Sequence, residues 1–414
     1  MKHDPIAPLR IPDFRFFITA RLFMTLATQM QGVVVGWQIY QLTKNPFWLG
    51  MIGLTEAIPF ISTALFAGHV ADIINRKKII VVAMTLLAIC TGLLCAFTLN
   101  NSSILLSTGI WPIYGIIFLS GILRAFVAPA NFAFQSQIVP RNEYSSASTW
   151  SSSAWQAGAI GGPLIVAMVY KSLGITLTYG LDLVLVLIAL FCYIIIPARP
   201  LPPKVQKESL FESLGKGIRF VFKNEIVLGA LSLDLFAVFF GGAVSMLPVF
   251  ADRMHVGVEG LSMLRAAPSV GAVLMLIVMI YKPVKHNAGR NLLICVAGFG
   301  VCMILFPIAT FFNFWVAFGL LALSGAFDSV SVVVRGVILQ LMTPDEMRGR
   351  VSAVNNIFIG SSNEIGEFES GTAAKIMGLV PSVIFGGCMT LLVVIYTAFR
   401  AKKLRRLHLG EEEK

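Results

Sequence analysis

Arg76-Lys77-Lys78, followed by IIVVAMTLLAICTGLLCAFTL at residues 79–99, is the stretch on which the reading of the fold turns. A run of about 20 apolar residues is what a helix needs to cross the hydrocarbon of a bilayer, where backbone groups find no water and must bond within the helix. The three cations before it mark the side on which the run starts, because positively charged loops stay in the cytoplasm. Eleven further stretches read the same way: 16–40, 47–70, 111–139, 148–170, 175–196, 226–250, 261–281, 292–312, 314–342, 351–378 and 381–399. The eleventh of the twelve, 351–378, is the most polar, with three glutamates and a lysine. An even number of crossings places both termini on one side.

Composition agrees. Of 414 residues, 57% are hydrophobic and 13% charged, too few charges to clothe a water-facing surface, so most apolar surface faces lipid. A cytosolic enzyme, a secreted disulfide scaffold and a disordered chain are excluded together. The net charge of +11 would in a soluble protein suggest nucleic acid. Here 24 of the 32 basic residues fall in segments on the N-terminal side of the membrane, 4 in the opposite loops, and 4 (Arg21, Arg124, Arg265 and Arg335) within spans. That asymmetry predicts cytoplasmic termini and accounts for the charge with no nucleic acid. The basic tail at 400–406 reads as a stop-transfer anchor or as a site for acidic headgroups. Asp4, Pro5, Pro8, Arg10, Pro12 and Asp13 interrupt any early apolar run, so no cleavable signal is expected. The six cysteines show no metal-type spacing, and neither metal nor cofactor is expected.

Sliding the chain by 204 residues sets Leu119-Ser120-Gly121 on Leu323-Ser324-Gly325, Pro140 on Pro344, Ser148 on Ser352 and Arg15-Phe16 on Arg219-Phe220. Either two related halves of six helices produce this register, or chance matching in a Leu/Ser/Gly-rich chain does. The first reading gives an N-terminal six-helix bundle at 1–197, a cytoplasmic linker at 198–224 and a C-terminal six-helix bundle at 225–414. The linker opens Pro197-Ala198-Arg199-Pro200-Leu201-Pro202-Pro203-Lys204, stiff and polar. In it Leu210, Leu214, Ile218, Val221 and Phe222 recur at helical spacing opposite Lys216, Arg219 and Lys223, as in a helix lying on a membrane surface. The predicted fold is therefore an all-α membrane protein of twelve transmembrane helices in two pseudo-symmetric bundles. In secondary transporters of that plan a substrate site near the midplane between the halves is exposed to each side in turn.

Three stretches resemble the major facilitator superfamily, and within it the bacterial efflux branch of enterobactin-type siderophore exporters and macrolide efflux proteins. They are Pro12-Asp13-Phe14-Arg15-Phe16 with Arg21 and Gln29-Met30-Gln31; Gly68-His69-Val70-Ala71-Asp72-Ile73-Ile74-Asn75-Arg76-Lys77-Lys78 between spans 2 and 3; and Asn363-Glu364-Ile365-Gly366-Glu367-Phe368-Glu369-Ser370-Gly371 in span 11. The resemblance implies the major facilitator fold and a cytoplasmic gate built on Gly68, Asp72, Arg76 and Lys77. By its own chemistry Asp72 can pair with Arg76 and Lys77 or cap a helix, and a solvated topology anchor is the alternative. The basic residue common after the aspartate is Ile73 here. Span 5 carries Gly158, Gly161, Gly162 and Pro163, similar to part of the family's antiporter motif; the further glycines expected after the proline are absent, and close helix packing is an equal explanation.

Charges within spans are costly and are functional candidates by default. Arg21, Asp182 and Arg265 lie towards span ends, where snorkelling can satisfy them. Glu56, Arg124, Asp234, Asp328, Arg335 and Glu364 sit deeper. The 204-residue register makes Arg124 and Asp328 equivalent, and the resemblance implies that both face a central cavity. A buried carboxylate protonates readily and a nearby arginine opposes this. Asp328 or Glu56 is thus expected to take a proton in one state while Arg124 or Arg335 competes for it in another; a static salt bridge is the alternative. Glu364 and Glu367 share a helix face and suggest a shared proton, a cation site or a structural bend. Thr25, Thr28, Gln29, Gln31 and Trp37, with Phe236, Phe239 and Phe240, either line an apolar cavity or face lipid.

The expected function is proton-coupled export of small amphipathic molecules (drug, siderophore or metabolite) by alternating access. The protein is expected to work as a monomer in a bacterial inner membrane. Uptake by symport on the same fold is the alternative. A membrane enzyme or sensor lacks a nucleotide loop, a metal set and a soluble domain to hold a site.

Overall fold

The computed structural model describes residues 6–99, 108–200, 210–281, 287–344, 347–405 and 407. Their order is α1 Pro12–Thr43, α2 Pro46–Ile73, α3 Arg76–Phe97, α4 Trp111–Ile138, α5 Tyr144–Ile195, α6 Leu210–Lys223, α7 Glu225–Phe240, α8 Leu247–Arg253, α9 Gly257–Tyr281, α10 Ala288–Ala309, α11 Phe314–Met342, α12 Arg348–Met377, α13 Leu379–Arg400 and α14 Lys402–Arg405. Among the described residues there is no strand. The twelve predicted spans all fall on these helices. Among the described residues, eight helical segments combine the length and hydropathy of a crossing, and one of them, Ser146–Ile195, holds spans 5 and 6 together. α1, α2 and α12, outside those eight, have 32, 28 and 30 residues, each enough to span by length.

Side-chain caps set several starts. Asn75 accepts from Lys78 N to open α3, Asn224 from Ile226 N and Val227 N to open α7, and Asn313 from Trp315 N to open α11. Two glycines divide long helical runs. Gly174 inside α5 has φ 74° and ψ 178°, and Gly378 between α12 and α13 has φ 90° and ψ 160°, a region only glycine occupies without strain. They lie 204 residues apart, in the register that aligns the Leu-Ser-Gly triplets, and each makes the turn after the fifth span of its half.

Span 7 is not the single rod predicted at 226–250. α7 stops at Phe240, a 3-10 turn covers Gly242–Val244, and α8 restarts at Leu247 with Pro248 in its first turn. The physical reason is crowding: a methyl group at Gly241 would sit 2.6 Å from Phe299, and one at Gly366 of α12 would sit 2.7 Å from Phe239 O. With Gly241 and Gly242 in sequence, the chain is free to leave helical geometry there.

The described residues fall into two compact units. One comprises Met1–Leu42, Thr55–Gln206 and Val258–Ser262; the other comprises Thr43–Leu54, Lys207–Gly257 and Met263–Lys414. In the first, fully buried Phe14, Phe17, Phe134 and Tyr193 form an aromatic knot with ring centroids 6.1 to 6.3 Å apart. Asp13 and Arg199 form an ion pair at 2.5 Å beside it. Asn75 Nδ2 donates to Arg199 O and Gln137 Nε2 to Pro200 O, tying the start of the linker to α3 and α4. In the second, Leu233 of α7, Leu292 of α10 and Ile338 of α11 are fully buried in one apolar cluster with Val394 of α13.

Lipid is as apolar as leucine, so close approach at small residues does much of the helix pairing. Each Leu-Ser-Gly triplet supplies such a contact. A methyl group at Gly121 of α4 would come within 2.9 Å of Pro59 in α2, and one at Gly325 of α11 would strike the backbone of Pro268 in α9. In both units the triplet's glycine seats against a proline inside the neighbouring helix. The helix α6 does not keep its predicted apolar residues on one covered face. Val221 is fully buried with Val227, Leu231, Val351 and Val354, whereas Ile218 and Phe222 are exposed. Leu210 and Leu214 have side chains outside the described residues.

Candidate functional site

In the first unit Arg124 of α4 reaches Glu56 of α2 and makes an ion pair through Nη1. The backbone brings them together because Gly121, one turn before Arg124, allows α4 to close on Glu56 O and Pro59. The side chains keep 29% and 18% of their exposure, so the pair is only partly covered by protein. Arg124 Nε, by contrast, is buried without a hydrogen-bond partner. Asp182 of α5 belongs to the same unit. It is 2% exposed, and both carboxylate oxygens are buried with no hydrogen-bond partner.

The second unit repeats the theme with other residues. Arg335 of α11 forms an ion pair with Asp234 of α7, and these side chains keep 5% and 9% of their exposure. Arg335 thus reaches across to α7 and not to Asp328, two turns earlier on its own helix. Asp328 instead lines a small cleft together with Asp234, Ser331, Cys295, Phe299 and Phe327. Both units therefore hold an arginine paired with a carboxylate, and in the second unit Asp328 shares a cleft with the paired Asp234. Arg124 and Asp328, equivalent in the repeat register, each belong to the cluster of their own unit.

Other candidates fall elsewhere. Gln29 and Thr25 of α1 lie against α5 at the glycine stretch: a methyl group at Gly162 would sit 2.7 Å from Gln29 Cβ, at Gly158 2.6 Å from Thr25 Cβ, and at Gly161 2.8 Å from Leu26 Cδ2. Gly158, Gly161 and Gly162 thus form a packing seam, and Pro163 follows inside the helix. Arg21 has its Nε buried without a partner and Tyr193 as its electrostatic neighbour. Glu364 and Glu367 of α12 lie where α2 begins, since a methyl group at Gly53 would meet Glu364 O at 2.5 Å and Glu367 Cβ at 2.6 Å. Phe240 stacks with Phe236 and meets Phe239 and Phe385 edge-on.

Of the gate residues, Gly68 and Asp72 fall on α2, but their surroundings lie outside the described residues. Arg76 Nη1 donates to Ala133 O of α4 and Lys77 Nζ to Ile194 O of α5. Lys77 thus meets a carbonyl in the last turn of α5, where the macrodipole favours positive charge.

Sequence reasoning placed Asp182 near a span end, within reach of interfacial water, and so passed over it. The turn at Gly174 gives its true depth: eight residues of helix carry Asp182 about 12 Å past the turn. Tyr179, fully buried on the same helix, donates its hydroxyl to Gln38 Oε1 of α1 at 2.7 Å and closes the space from that side.

Known proteins agree with this architecture. A family model described as Major Facilitator Superfamily matches residues 17–367. Enterobactin exporters EntS of Shigella boydii and Escherichia coli are each 25% identical to the chain over 398 residues, covering 95% of it and 93% of their own length. Among solved structures, a D-xylose-proton symporter superposes with a TM-score of 0.76 at 13% identity, covering 97% of this chain and 100% of that one. A POT family transporter in complex with 5-aminolevulinic acid superposes with a TM-score of 0.74 at 9% identity, covering 94% and 96%.

Proposed function

The chain belongs to the Major Facilitator Superfamily, and from that premise we propose that it is a proton-driven exporter of small amphipathic molecules, of which siderophores are the leading class. The observation that carries the substrate class is the end-to-end similarity to enterobactin exporters, 95% of this chain against 93% of theirs. Coupling to protons rests on the charged clusters. A carboxylate buried in an apolar span is expensive unless it is paired or protonated, and Asp328 beside the Asp234 and Arg335 pair is a carboxyl of that kind. Proton binding at Asp328 on one side of the membrane and release on the other would drive substrate the opposite way, by alternating access. The orientation that goes with this has both termini in the cytoplasm of a bacterial inner membrane, from the distribution of Lys and Arg.

Uptake by symport is the second reading, supported by the likeness to a D-xylose-proton symporter; fold alone does not fix direction. A thermal-shift screen of the purified protein with enterobactin, macrolides and metabolites tests the substrate class, because a ligand that binds the folded state raises its melting temperature. A shift with enterobactin that disappears in Arg124→Ala supports the proposal. A shift only with sugars or other small nutrients overturns it in favour of uptake.

A further inference from the structure

The basic tail and the helix α6 meet the second unit at one place, the start of α7. Glu225, the first residue of α7, accepts a hydrogen bond from Lys403 N at 3.1 Å. Leu404 is fully buried in the apolar cluster of that unit. Two glycines make room for it: a methyl group at Gly229 of α7 would come 3.0 Å from Leu404 Cδ2, and one at Gly289 of α10 would strike Leu404 O. Glu225 and Gly229, one turn apart, thus face α14, while Val227 and Leu231 face Val221 of α6. On that opposite side Gly217 brings α6 onto α12, where a methyl group would come 3.0 Å from Arg350 O. Arg219 and Lys223 of α6 are exposed, as are Arg290 of α10 and Lys402, Lys403 and Arg405 of α14. Among the described residues none of these six side chains is in an ion pair.

A stop-transfer signal needs charge but no fixed position. Here buried Leu404 and Val221 hold the cations in place around α7, and like charges fixed on one rim repel one another until an anion joins them. Apolar side chains stand among them. On α6, Ile218 and Phe222 are exposed one turn apart, beside Arg219 and Lys223 at the same spacing. Tyr396 and Phe399 are exposed near the end of α13, just before the tail. An aromatic or aliphatic stripe beside a cationic one suits the headgroup level of a bilayer, with rings at the acyl boundary and cations among phosphates. A free anion would answer the charge and leave Ile218, Phe222 and Phe399 in water.

We propose that this rim binds the phosphodiester headgroups of acidic phospholipids such as phosphatidylglycerol, with Ile218, Phe222 and Phe399 set against the acyl chains. In the orientation proposed above it meets the cytoplasmic leaflet. The surface depends neither on the substrate carried nor on proton coupling.

Native mass spectrometry of the full-length protein, offered an equimolar mixture of phosphatidylglycerol and phosphatidylcholine in mild detergent, reads which lipid it keeps. The unaltered protein is expected to retain several-fold more phosphatidylglycerol, with a preference that falls as salt rises. Lys402→Gln, Lys403→Gln and Arg405→Gln together are expected to bring the ratio towards one, whereas Lys402→Arg with Lys403→Arg keeps it. Should the triple variant fail to fold, Arg219→Gln with Lys223→Gln carries the same expectation from the other side of α7. Equal retention of both lipids by the unaltered protein, or a preference untouched by glutamine at both sets, overturns the proposal. So does displacement of bound phosphatidylglycerol by inorganic phosphate at equal concentration, which would make the rim an anion site with no part for the acyl chains.

Discussion

The Arg335 and Asp234 pair is deeply buried, with 5% and 9% of side-chain exposure, and its strength lies in mutual dependence. Removing one member leaves the other charged in a dry site. Arg335→Ala is expected to destabilise the protein by about 3–5 kcal/mol in thermal unfolding, whereas Asp234→Leu combined with Arg335→Met recovers most of the loss. Asp328 contrasts with it. It makes no ion pair, so Asp328→Asn should change stability by less than about 1 kcal/mol while abolishing gradient-driven transport. Normal transport in Asp328→Asn would remove it from coupling. Much of this was legible in the sequence, since Glu56, Arg124, Asp234, Asp328 and Arg335 stand out as charges deep in apolar runs. The pairing was not: helical spacing puts Arg335 on a face with Asp328, and only the packing of α7 on α11 shows that Asp234 is its partner.

Elements were the most legible level, because a run of about 20 apolar residues has few other fates. What the periodicity hid were the breaks. Nothing in hydropathy marks residues 241–246 as non-helical, since Gly-Gly followed by apolar residues also reads as a helix packed closely; the crowding by Phe299 and α12 decides it. The glycine seam of α5 was visible as a motif, and the structure gives it a packing role against α1. Gly162→Ala should cost about 1–3 kcal/mol by overpacking Gln29 and Leu26, read as a lower melting temperature. Gly174→Ala meets no neighbour within 4 Å, so its cost, also about 1–3 kcal/mol, is purely that of a left-handed backbone. If Gly174→Ala melts with the unaltered protein, that turn is not held in the conformation described.

At the scale of the molecule, the repeat gains weight from geometry that composition cannot supply. Gly174 and Gly378 share a backbone conformation, and both Leu-Ser-Gly glycines seat against an interior proline. Chance matching of common residues does not produce such coincidences. The topology is a prediction of charge: a membrane-impermeant thiol reagent applied to intact cells should label Ser172→Cys, in an outside loop, and spare Lys223→Cys, at an inside one. Labelling of the second but not the first would invert the orientation. The central claim is the exchange of protons for substrate. Its most direct test is the reconstituted protein in liposomes loaded with a pH-sensitive dye, with enterobactin supplied on one side and no other gradient imposed. The account predicts that substrate entering the liposome drives protons out, and that Asp328→Asn abolishes this proton movement. Substrate movement with no change in lumenal pH, or with protons moving in the same direction, would contradict it.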